Sequence, residues 1–459
     1  MLSIAMLSTL RDYGLPRNLA LNSTEKIGIN LIGPASTNSG LGNVTRQFAN
    51  AILAKGHPVS IFDVDPGLGR SGFDLSLQSH FATSVGSLRH EVNLWIQGAM
   101  ALPSTALQIC QNRVLANKFN AAFVWWELPV MPSNWLTSAT VFDALIAGSE
   151  YVQACFTMQI PGVPTCLAKH PIDIPADIAG DREKFGLPKG AILICTSFEP
   201  QSDPARKNPL AAVHAFRMAF PNDNNVGLVV KINNPNAEGK DRVLLDQFYK
   251  LVADDPRVFL ICERLAYSDL LTLYSSCDIF ISLHRAEGLG LVPLEAMRLG
   301  KPVVATGWSG NMSYMTPRNA GLVSYGFVPI NEDAAVYAPS RLGVKTYWAE
   351  PDIEHAAAWL RAFANDSELR QRFASQAAAD SAAYNMTARE LSFIDDLVAL
   401  LEQKPLAPKK DVTELRRRAL AAEREDHLRG VARAQRVQAR IRTLARDWYE
   451  RHVAWRFEH

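Results

Sequence analysis

Residues 284–306, HRAEGLGLVPLEAMRLGKPVVAT, carry two glutamates around a glycine-bearing turn. The stretch follows the apolar run DIFISL, and the pattern predicts a strand, a turn and a helix from about Leu289 to Leu299. Glu287 and Glu295 are eight residues apart, and at about 100° per residue this spacing places both on the same side of such a helix. Two carboxylates there can accept paired hydrogen bonds from the vicinal hydroxyls of a sugar and of a ribose. A capping Glu287 and a surface Glu295 explain the spacing alone equally well.

The turn itself is suited to hold a phosphate or a sugar. Gly288 and Gly290 let a ligand approach the backbone closely, and the amides where the helix starts, at about Leu289, can bind an anion. His284 lies just ahead of the turn, where it either binds a donor sugar or completes a buried hydrogen-bond network.

A basic pair, Arg206 and Lys207, lies in SDPARKNPLAAVHAF, between a predicted strand and a predicted helix. Fixed positive charge beside a helix N-terminus can hold a diphosphate and stabilise it as it leaves. Without the glutamate motif, a solvated loop would be the preferred interpretation of this pair.

A second glycine-rich loop, GPASTNSGLGNVTR at residues 33–46, separates the first predicted strand from its helix. Gly40, Gly42 and Asn43 lie in this loop, and by itself such a loop is found equally in dinucleotide enzymes. Asp63 and Asp65 in IFDVDPG form an Asp-x-Asp pattern, which we interpret as accidental, so no metal site is predicted.

The segment FVWWELPVMPSNW, residues 123–135, is the candidate binding site for an acceptor sugar. Trp126 and Glu127 would offer a ring face and a carboxylate to a sugar, and an aromatic core with a surface Glu127 explains the pattern equally well. His170 is a further candidate on the acceptor side, for binding or for a buried network.

The elements that must position these residues alternate along the chain. Short β-rich runs such as KIGINLIG and PVSIFD alternate with helical periodicity, which predicts α/β architecture with two Rossmann-like, doubly wound parallel sheets facing across a cleft. We predict an acceptor-side domain at residues 1–170, a linker at 171–190 and a donor domain at 191–385. A returning helix and connector at 386–410 and an Arg- and Ala-rich helical tail at 411–459 complete the chain.

Composition narrows the function class. Lys and Arg total 47 against 46 Asp and Glu, which gives no indication of a nucleic-acid partner. Six unpaired cysteines fit reduced thiols in the cytoplasm. We predict no secretion signal and no membrane span, and the tail is expected to pack on the protein, to self-associate or to contact the inner face of a membrane.

The 284–306 stretch closely resembles the signature of glycosyltransferase family four, retaining enzymes of the GT-B fold, in which seven residues separate two glutamates. The resemblance continues through KPVVATGWSGNMSYM, reappears at YWAEPDIEHAAAWLR and covers most of the chain to about residue 365. It implies that Glu287 meets the transferred sugar, that Glu295 meets the nucleotide ribose, and that Arg206 and Lys207 serve the diphosphate. The first glycine loop also matches that of the family, which implies that Gly40, Gly42 and the amide of Asn43 close over the donor from the opposite domain. In the commoner family form the two basic residues are separated; here they are adjacent, as in a subgroup that resembles polysaccharide-building members.

The resemblance further implies a retaining, metal-independent hexosyltransferase. Its substrates would be a nucleoside-diphosphate sugar and a glycan or lipid-linked glycan acceptor, with no cofactor. Attack would come from the face of the leaving group, so that no side-chain nucleophile is needed. The open alternatives are a nucleotide-sugar epimerase or hydrolase, a glycan phosphorylase, a non-catalytic sugar-binding scaffold, and an oxidoreductase built on the first glycine loop.

Overall fold

Two six-stranded parallel sheets form the framework of the protein in a computed structural model that describes residues 26–37, 39–64, 74–233, 235, 240–332, 334, 337–403 and 417. The predicted fold class is therefore confirmed. Asp65 and the tail at 411–459, apart from Arg417, lie outside the described residues.

The first sheet has the strand order β2-β1-β3-β4-β5-β6. Its strands are β1 Ile29–Gly33, β2 Val59–Asp63, β3 Val92–Gly98, β4 Phe119–Trp125, β5 Ala144–Ala147 and β6 Thr165–Leu167. The helices that belong to it are α1 Gly40–Ala54, α2 Leu102–Gln111, α3 Arg113–Ala116, α4 Ser133–Ala139 and α5 Glu150–Gln159, with single 3₁₀ turns at Gln78–His80, Val85–Ser87 and Ala99–Ala101.

The second sheet has the order β12-β11-β10-β7-β8-β9. Its strands are β7 Ile192–Phe198, β8 Val226–Ile232, β9 Val258–Ile261, β10 Ile279–Ser282, β11 Val303–Thr306 and β12 Gly321–Val323. Its helices are α6 Pro204–Lys207, α7 Pro209–Ala219, α8 Lys240–Val252, α9 Tyr267–Ser275 and α10 Leu291–Arg298, with 3₁₀ turns at Pro200–Ser202 and Gly310–Ser313.

Each predicted apolar run became a strand because parallel strands are covered by helices on both faces. All five residues of β1 and all seven of β8 are buried. Helix α1 shows the matching amphipathic pattern, since Val44, Phe48 and Ile52 are all buried against the sheet. Its N-terminus is capped by Ser39, whose hydroxyl accepts a hydrogen bond from the Gly42 amide at 3.1 Å.

Helix α10 begins at Leu291 rather than at the predicted Leu289. Gly290 has a φ of 82°, in the left-handed region, and therefore cannot belong to a right-handed helix. Residues 168–191 contain neither helix nor strand, and the boundaries that we assigned around the 171–190 linker remain a proposal.

Two later segments cross back to the first sheet. A hairpin of β13 Tyr325–Pro329 and β14 Tyr347–Pro351, with the short helix α11 Pro339–Leu342 between its strands, buries Tyr337 and Trp348 in the same cluster as Trp126. After α12 Ile353–Asn365 and α13 Ser367–Glu390, helix α14 Ser392–Gln403 packs on the first sheet through a set of apolar residues: Phe393, Ile394, Leu397 and Leu400.

All six cysteines are free thiols, and all but Cys262 are buried. In the part of the chain that the structure describes, no helix is both long enough and apolar enough to cross a bilayer.

Candidate active site

Arg206, Lys207 and Glu287 form one buried ionic centre at the carboxyl ends of β7 and β10. Lys207 Nζ donates a hydrogen bond to Glu287 Oε1 at 2.6 Å, and Arg206 NH1 lies 3.1 Å from Glu287 Oε2. The ionic centre belongs to the second domain and lies next to the first, since Arg206 NH2 is 3.8 Å from Oε1 of Glu127, a first-domain residue. The structure thus brings together the two motifs that sequence reasoning treated separately.

The short helix α6 holds the basic pair in place. The Asp203 carboxylate caps the helix by accepting from the Arg206 amide at 3.1 Å, and Pro204 occupies the first turn. The Arg206 guanidinium then donates to the carbonyls of Ala286 at 2.8 Å and Ser202 at 3.1 Å. These bonds fix the direction of the guanidinium next to Glu287.

Backbone strain is concentrated around this centre. Asp203, Asn208 and Ser309 have φ values of 61°, 54° and 78°, and they are three of the four non-glycine residues with positive φ among those described. Ser309 uses its conformation to accept a hydrogen bond from the Glu287 amide, at 2.8 Å from Oγ. Such strain costs about 1–3 kcal/mol at each residue and is typical of functional sites.

Glu287 and Arg206 are charged at neutral pH, whereas burial lowers the pKa of Lys207 against the opposing pull of Glu287. Burial raises the pKa of Glu287, but the neighbouring Lys207 and Arg206 cations outweigh it and lower the pKa to about 2. Burial lowers the pKa of Arg206, and the surrounding Tyr337, Glu127 and Glu287 more than reverse this, so that the guanidinium stays charged. Glu287 is therefore a fixed anion rather than a proton donor.

Glu295 lies in a different environment. It is buried, and Tyr267 donates a hydrogen bond to its Oε1 at 2.9 Å. Burial raises the pKa of Glu295 to about 7, although the Tyr267 hydroxyl acts in the opposite direction. Tyr267 in turn lies 3.5 Å from Gln47 Nε2, and Gln47 Oε1 lies 2.6 Å from His170 Nε2, so a polar chain links the two domains.

Tyr267 and Gln47 were not predicted. No motif marks them in the sequence, because their contacts join residues 28, 123 and 220 positions apart.

A cleft of about 410 Å³ opens next to the hydrogen-bonded series of Glu295, Tyr267 and Gln47. It is lined by polar residues of both domains, among them Asn43 and Gln47 of α1, Tyr267 of α9 and Arg298 of α10. The backbone amide of Asn43 donates to the Ser39 carbonyl at 2.9 Å inside the helix and is not free to meet a ligand, whereas the Asn43 side chain lines the cleft and bonds to Tyr267.

The glycines of the two loops have different surroundings. A Cβ on Gly288 would lie 2.8 Å from the Trp126 carbonyl oxygen of the opposite domain, and the Gly288 carbonyl accepts from Ser149 Oγ at 2.5 Å. Gly290 supplies the left-handed turn, whereas the Leu289 side chain is buried in the apolar core. In the first loop a Cβ on Gly42 would lie 2.0 Å from the Thr37 carbonyl oxygen.

Gly40 differs from these glycines, because a Cβ there would meet no heavy atom within 4 Å. Gly42 is thus required by the fold, while the space at Gly40 is open to a ligand.

The two residues predicted for the acceptor side have separate environments. Trp126 is a core residue: it is buried against Trp135 and Tyr337, and its Nε1 donates to the Val130 carbonyl at 2.9 Å. Glu127 is connected to the ionic centre, because it lies beside Arg206 and accepts from the Tyr337 hydroxyl at 2.8 Å. Tyr337, on the inserted hairpin, is a site neighbour that the sequence did not reveal.

Both candidate histidines are fully buried and neutral. Burial lowers the pKa of His170 to about 3, and its Nε2 is engaged with Gln47. Burial also lowers the pKa of His284 to about 4 against the opposing pull of Glu287, and neither of its ring nitrogens has a partner among the described residues. Within the same residues no group of three or more His, Cys, Asp or Glu side chains is arranged to hold a metal ion.

Part of the chain is similar to a known family of proteins. Residues 255–334, which include Glu287 and Glu295, match the sequence model of the family described as glycosyl transferases group 1. The serotype-specific mannosyltransferase WbdA of Escherichia coli is 35% identical over 133 residues, a match that covers 28% of this chain and 15% of the length of that protein.

Solved structures share the fold. HepE of Anabaena, in complex with UDP and glucose, aligns over 81% of this chain and all of its own with a TM-score of 0.55 and 17% identity. Sucrose-phosphate synthase of Thermosynechococcus elongatus aligns over 82% of this chain and all of its own with a TM-score of 0.58 and 15% identity. The predicted resemblance is confirmed: residues 255–334, which contain Glu287 and Glu295, are similar to group 1 glycosyltransferases, and the framework is of the GT-B type.

Proposed function

We propose that this protein is a retaining hexosyltransferase that moves a sugar from a nucleoside-diphosphate donor to a glycan or lipid-linked glycan, in the synthesis of a cell-surface polysaccharide. The observation that carries the proposal is the buried centre in which Arg206 and Lys207 share the Glu287 carboxylate at 3.1 and 2.6 Å. This centre combines the groups that such a transfer needs, namely cations for a departing diphosphate and an anion for sugar hydroxyls.

In the proposed reaction the bond between the anomeric carbon and the diphosphate oxygen breaks as an acceptor oxygen bonds to that carbon from the same face. The acceptor proton passes to the departing phosphate, so the protein supplies no nucleophile and no base. Arg206 and Lys207 stabilise the negative charge that grows on the leaving group. Glu287, ionised with a pKa of about 2, orients the transferred sugar by accepting from its hydroxyls.

We assign the ribose of the donor to Glu295, whose carboxylate can accept two hydroxyl hydrogen bonds. The sugar and the base remain to be found by experiment, and the relatives suggest which donors to try first. WbdA is a mannosyltransferase, and HepE has been solved with UDP and glucose. GDP-mannose and UDP-glucose are therefore the first two donors to test.

We also propose that the enzyme works in the cytoplasm, with residues 411–459 contacting the inner face of the membrane or a second copy. These residues hold 12 Arg against 8 Asp and Glu. Sedimentation with anionic vesicles tests this assignment, and a chain truncated before Asp411 should lose binding that the full chain shows.

The deciding experiment screens the full chain against nucleoside diphosphates and their sugars by thermal shift, then follows transfer by mass spectrometry and the anomeric configuration of the product by NMR. Lys207→Ala should lower kcat by about 100-fold or more, beyond any change in donor KM. Lys189→Ala is the matched control, since Lys189 is also ion-paired, with Glu183, but is 81% exposed. An inverted product, or wild-type turnover in Lys207→Ala, would contradict the proposal.

A further inference from the structure

Four aromatic rings form a continuous cluster beside the ionic centre. Trp308 is the central ring, with centroids 5.7 Å from Tyr151, 5.4 Å from Tyr325 and 5.1 Å from Phe327. Tyr325 and Phe327 are also in contact, at 5.5 Å. We call Tyr151, Trp308, Tyr325 and Phe327 the aromatic platform.

The rings of the platform come from both domains and from the inserted hairpin. Tyr151 lies near the start of α5, after the first-sheet strand β5, whereas Trp308 follows β11 of the second sheet. The other two rings belong to β13 of the inserted hairpin. The platform is thus assembled only when both domains and the hairpin meet.

The hairpin turns these rings away from the core. Alternate residues of a strand point to opposite faces, so Tyr325 and Phe327 share one face of β13 and Val328 occupies the other. Val328 packs against the first-domain core with its cross-strand partner Trp348, which is buried. On the platform face Tyr325 and Phe327 pack against Trp308, and Phe327 remains 55% exposed.

Exposed aromatic side chains are rare elsewhere. Among the large apolar residues that the structure describes as exposed, Phe327 and Tyr347 are the only aromatic ones, and both lie on this hairpin. Tyr347 pairs with Pro329 across the strands and so shares the face of Phe327. Phe327 and Tyr347 thus give one face of the hairpin an exposed aromatic surface.

Short contacts connect the platform to the reacting groups. Trp308 precedes Ser309, whose Oγ accepts from the Glu287 amide at 2.8 Å. The Tyr151 hydroxyl donates to the backbone carbonyl of Glu127 at 3.2 Å, and the Glu127 carboxylate lies 3.8 Å from Arg206. The platform therefore adjoins the residues that surround Glu287 and Arg206.

Carboxylates border the rings. The backbone carbonyl of Glu127 accepts from the Tyr151 hydroxyl, and Glu150, next to Tyr151 in sequence, accepts a hydrogen bond from Ser313 of the second domain. Carboxylates and hydroxyls next to aromatic faces match a sugar, which has an apolar C–H face and a rim of hydroxyls. The surface of four rings is also far smaller than the roughly 800 Å² that each partner buries in a stable protein interface, which argues against a protein partner.

From this arrangement we infer that the aromatic platform is the acceptor subsite, in which a pyranose ring of a glycan packs on the exposed Phe327 ring while the terminal hydroxyl of the glycan points toward the ionic centre. The inference rests on the proposed function and deepens it by locating the acceptor. Trp126, the ring considered from the sequence, is buried in the core, and Phe327 provides the exposed ring instead.

The test compares three substitutions at one position in the full chain. Phe327→Ala removes the ring, Phe327→Leu keeps apolar bulk without a ring face, and Phe327→Trp keeps a ring. The matched control is Val344→Ala, at a residue that is 46% exposed and lies between the two hairpin strands. The probes are α-linked mannotriose and the corresponding glucose trisaccharide, titrated by calorimetry without donor.

We expect Phe327→Ala to weaken binding of the better trisaccharide about tenfold, Phe327→Leu to weaken it several-fold, and Phe327→Trp and Val344→Ala to bind as the wild type does. In the transfer assay the loss should appear in acceptor KM. Affinity for the nucleoside diphosphate should stay unchanged in every variant.

Equal affinity in Phe327→Ala and wild type, equal affinity in Phe327→Leu and wild type, or no trisaccharide binding to the wild type would each overturn the inference. So would a change of oligomer mass in Phe327→Ala without a change in glycan affinity, because that result identifies a protein contact. If trisaccharides bind as expected but no nucleoside diphosphate binds, the proposed transfer fails while the sugar site stands.

Discussion

Nζ of Lys207 lies 2.6 Å from Oε1 of Glu287, and the two side chains come from loops 80 residues apart in sequence. The contact joins the loop after β7 to the loop after β10, which are neighbouring strands of the second sheet. A buried anion is thereby fixed between two cations before any substrate arrives. Because the charges are already in place, little reorganisation is needed when charge develops on a leaving group.

Replacing Glu287 with Gln keeps the side-chain volume but removes the anion between Arg206 and Lys207. We expect kcat to fall by about 100-fold or more, since the transferred sugar loses its strongest acceptor and the cations lose their partner. Initial rates at saturating donor measure this change. Glu354→Gln, at an exposed position in the first turn of α12, is the control, and equal turnover in both variants would remove Glu287 from the chemistry.

Glu295 should make stability depend on pH. Burial raises its pKa in the folded protein to about 7, from 4.5 when unfolded. The folded state thus holds the proton more tightly, so the stabilising contribution is complete below pH 4.5 and is lost as the pH rises through 7. The free energy of unfolding should therefore fall by roughly 3 kcal/mol, because each unit of pKa shift corresponds to about 1.4 kcal/mol.

Urea unfolding from pH 5 to pH 8 checks this expectation. Wild type should lose this stability across the range and Glu295→Gln should not. Tyr267→Phe should move the loss to higher pH, because the Tyr267 hydroxyl lowers the pKa of Glu295. Glu295→Gln should also weaken nucleoside diphosphate binding, and unchanged affinity would refute the ribose assignment.

Gly40 and Gly42 are two residues apart, and alanine should affect them differently. Gly42→Ala brings a methyl group to 2.0 Å from the Thr37 carbonyl, and we expect it to destabilise the protein by about 1–3 kcal/mol. Gly40→Ala meets open space, so the free energy of unfolding should change by less than about 1 kcal/mol.

Donor binding separates the two roles further. If Gly40 closes over the donor, its alanine variant should keep its stability and yet bind nucleoside diphosphate more weakly. Thermal unfolding with and without nucleotide distinguishes these effects. If the Gly42→Ala variant is as stable as the wild type, the backbone at Thr37 shifts to accept the methyl group and the expectation is wrong.

Transfer should continue in excess chelator. Arg206 and Lys207 place two positive charges where other glycosyltransferases use a divalent cation, so we expect initial rates with and without EDTA to agree within about twofold. An absolute need for a divalent metal would contradict this role of the basic pair.

Much of the framework followed from the sequence, because buried parallel strands appear as short apolar runs between helical segments. The ionic centre was predicted as two separate motifs. Their contact, and those of Tyr267 with Glu295 and Tyr337 with Glu127, depends on chain crossings that local periodicity does not encode.

The inserted hairpin also escaped prediction. Its strands Tyr325–Pro329 and Tyr347–Pro351 are short, contain proline and carry aromatic residues on the exposed face, so they lack the usual alternation of apolar and polar residues. The start of α10 was misplaced for a local reason, because the sequence does not reveal that Gly290 is left-handed. The roles of the site residues remain predictions.

Helix α14 has a consequence for synthesis on the ribosome. Phe393, Ile394 and Leu397 fill part of the core of a sheet whose own strands end at Leu167. A growing chain therefore presents an uncovered apolar face on its first domain while more than 200 further residues are made. The first domain acquires its complete core only when nearly all of the second has left the ribosome, so a chaperone that shields this face during translation should raise the yield of folded protein.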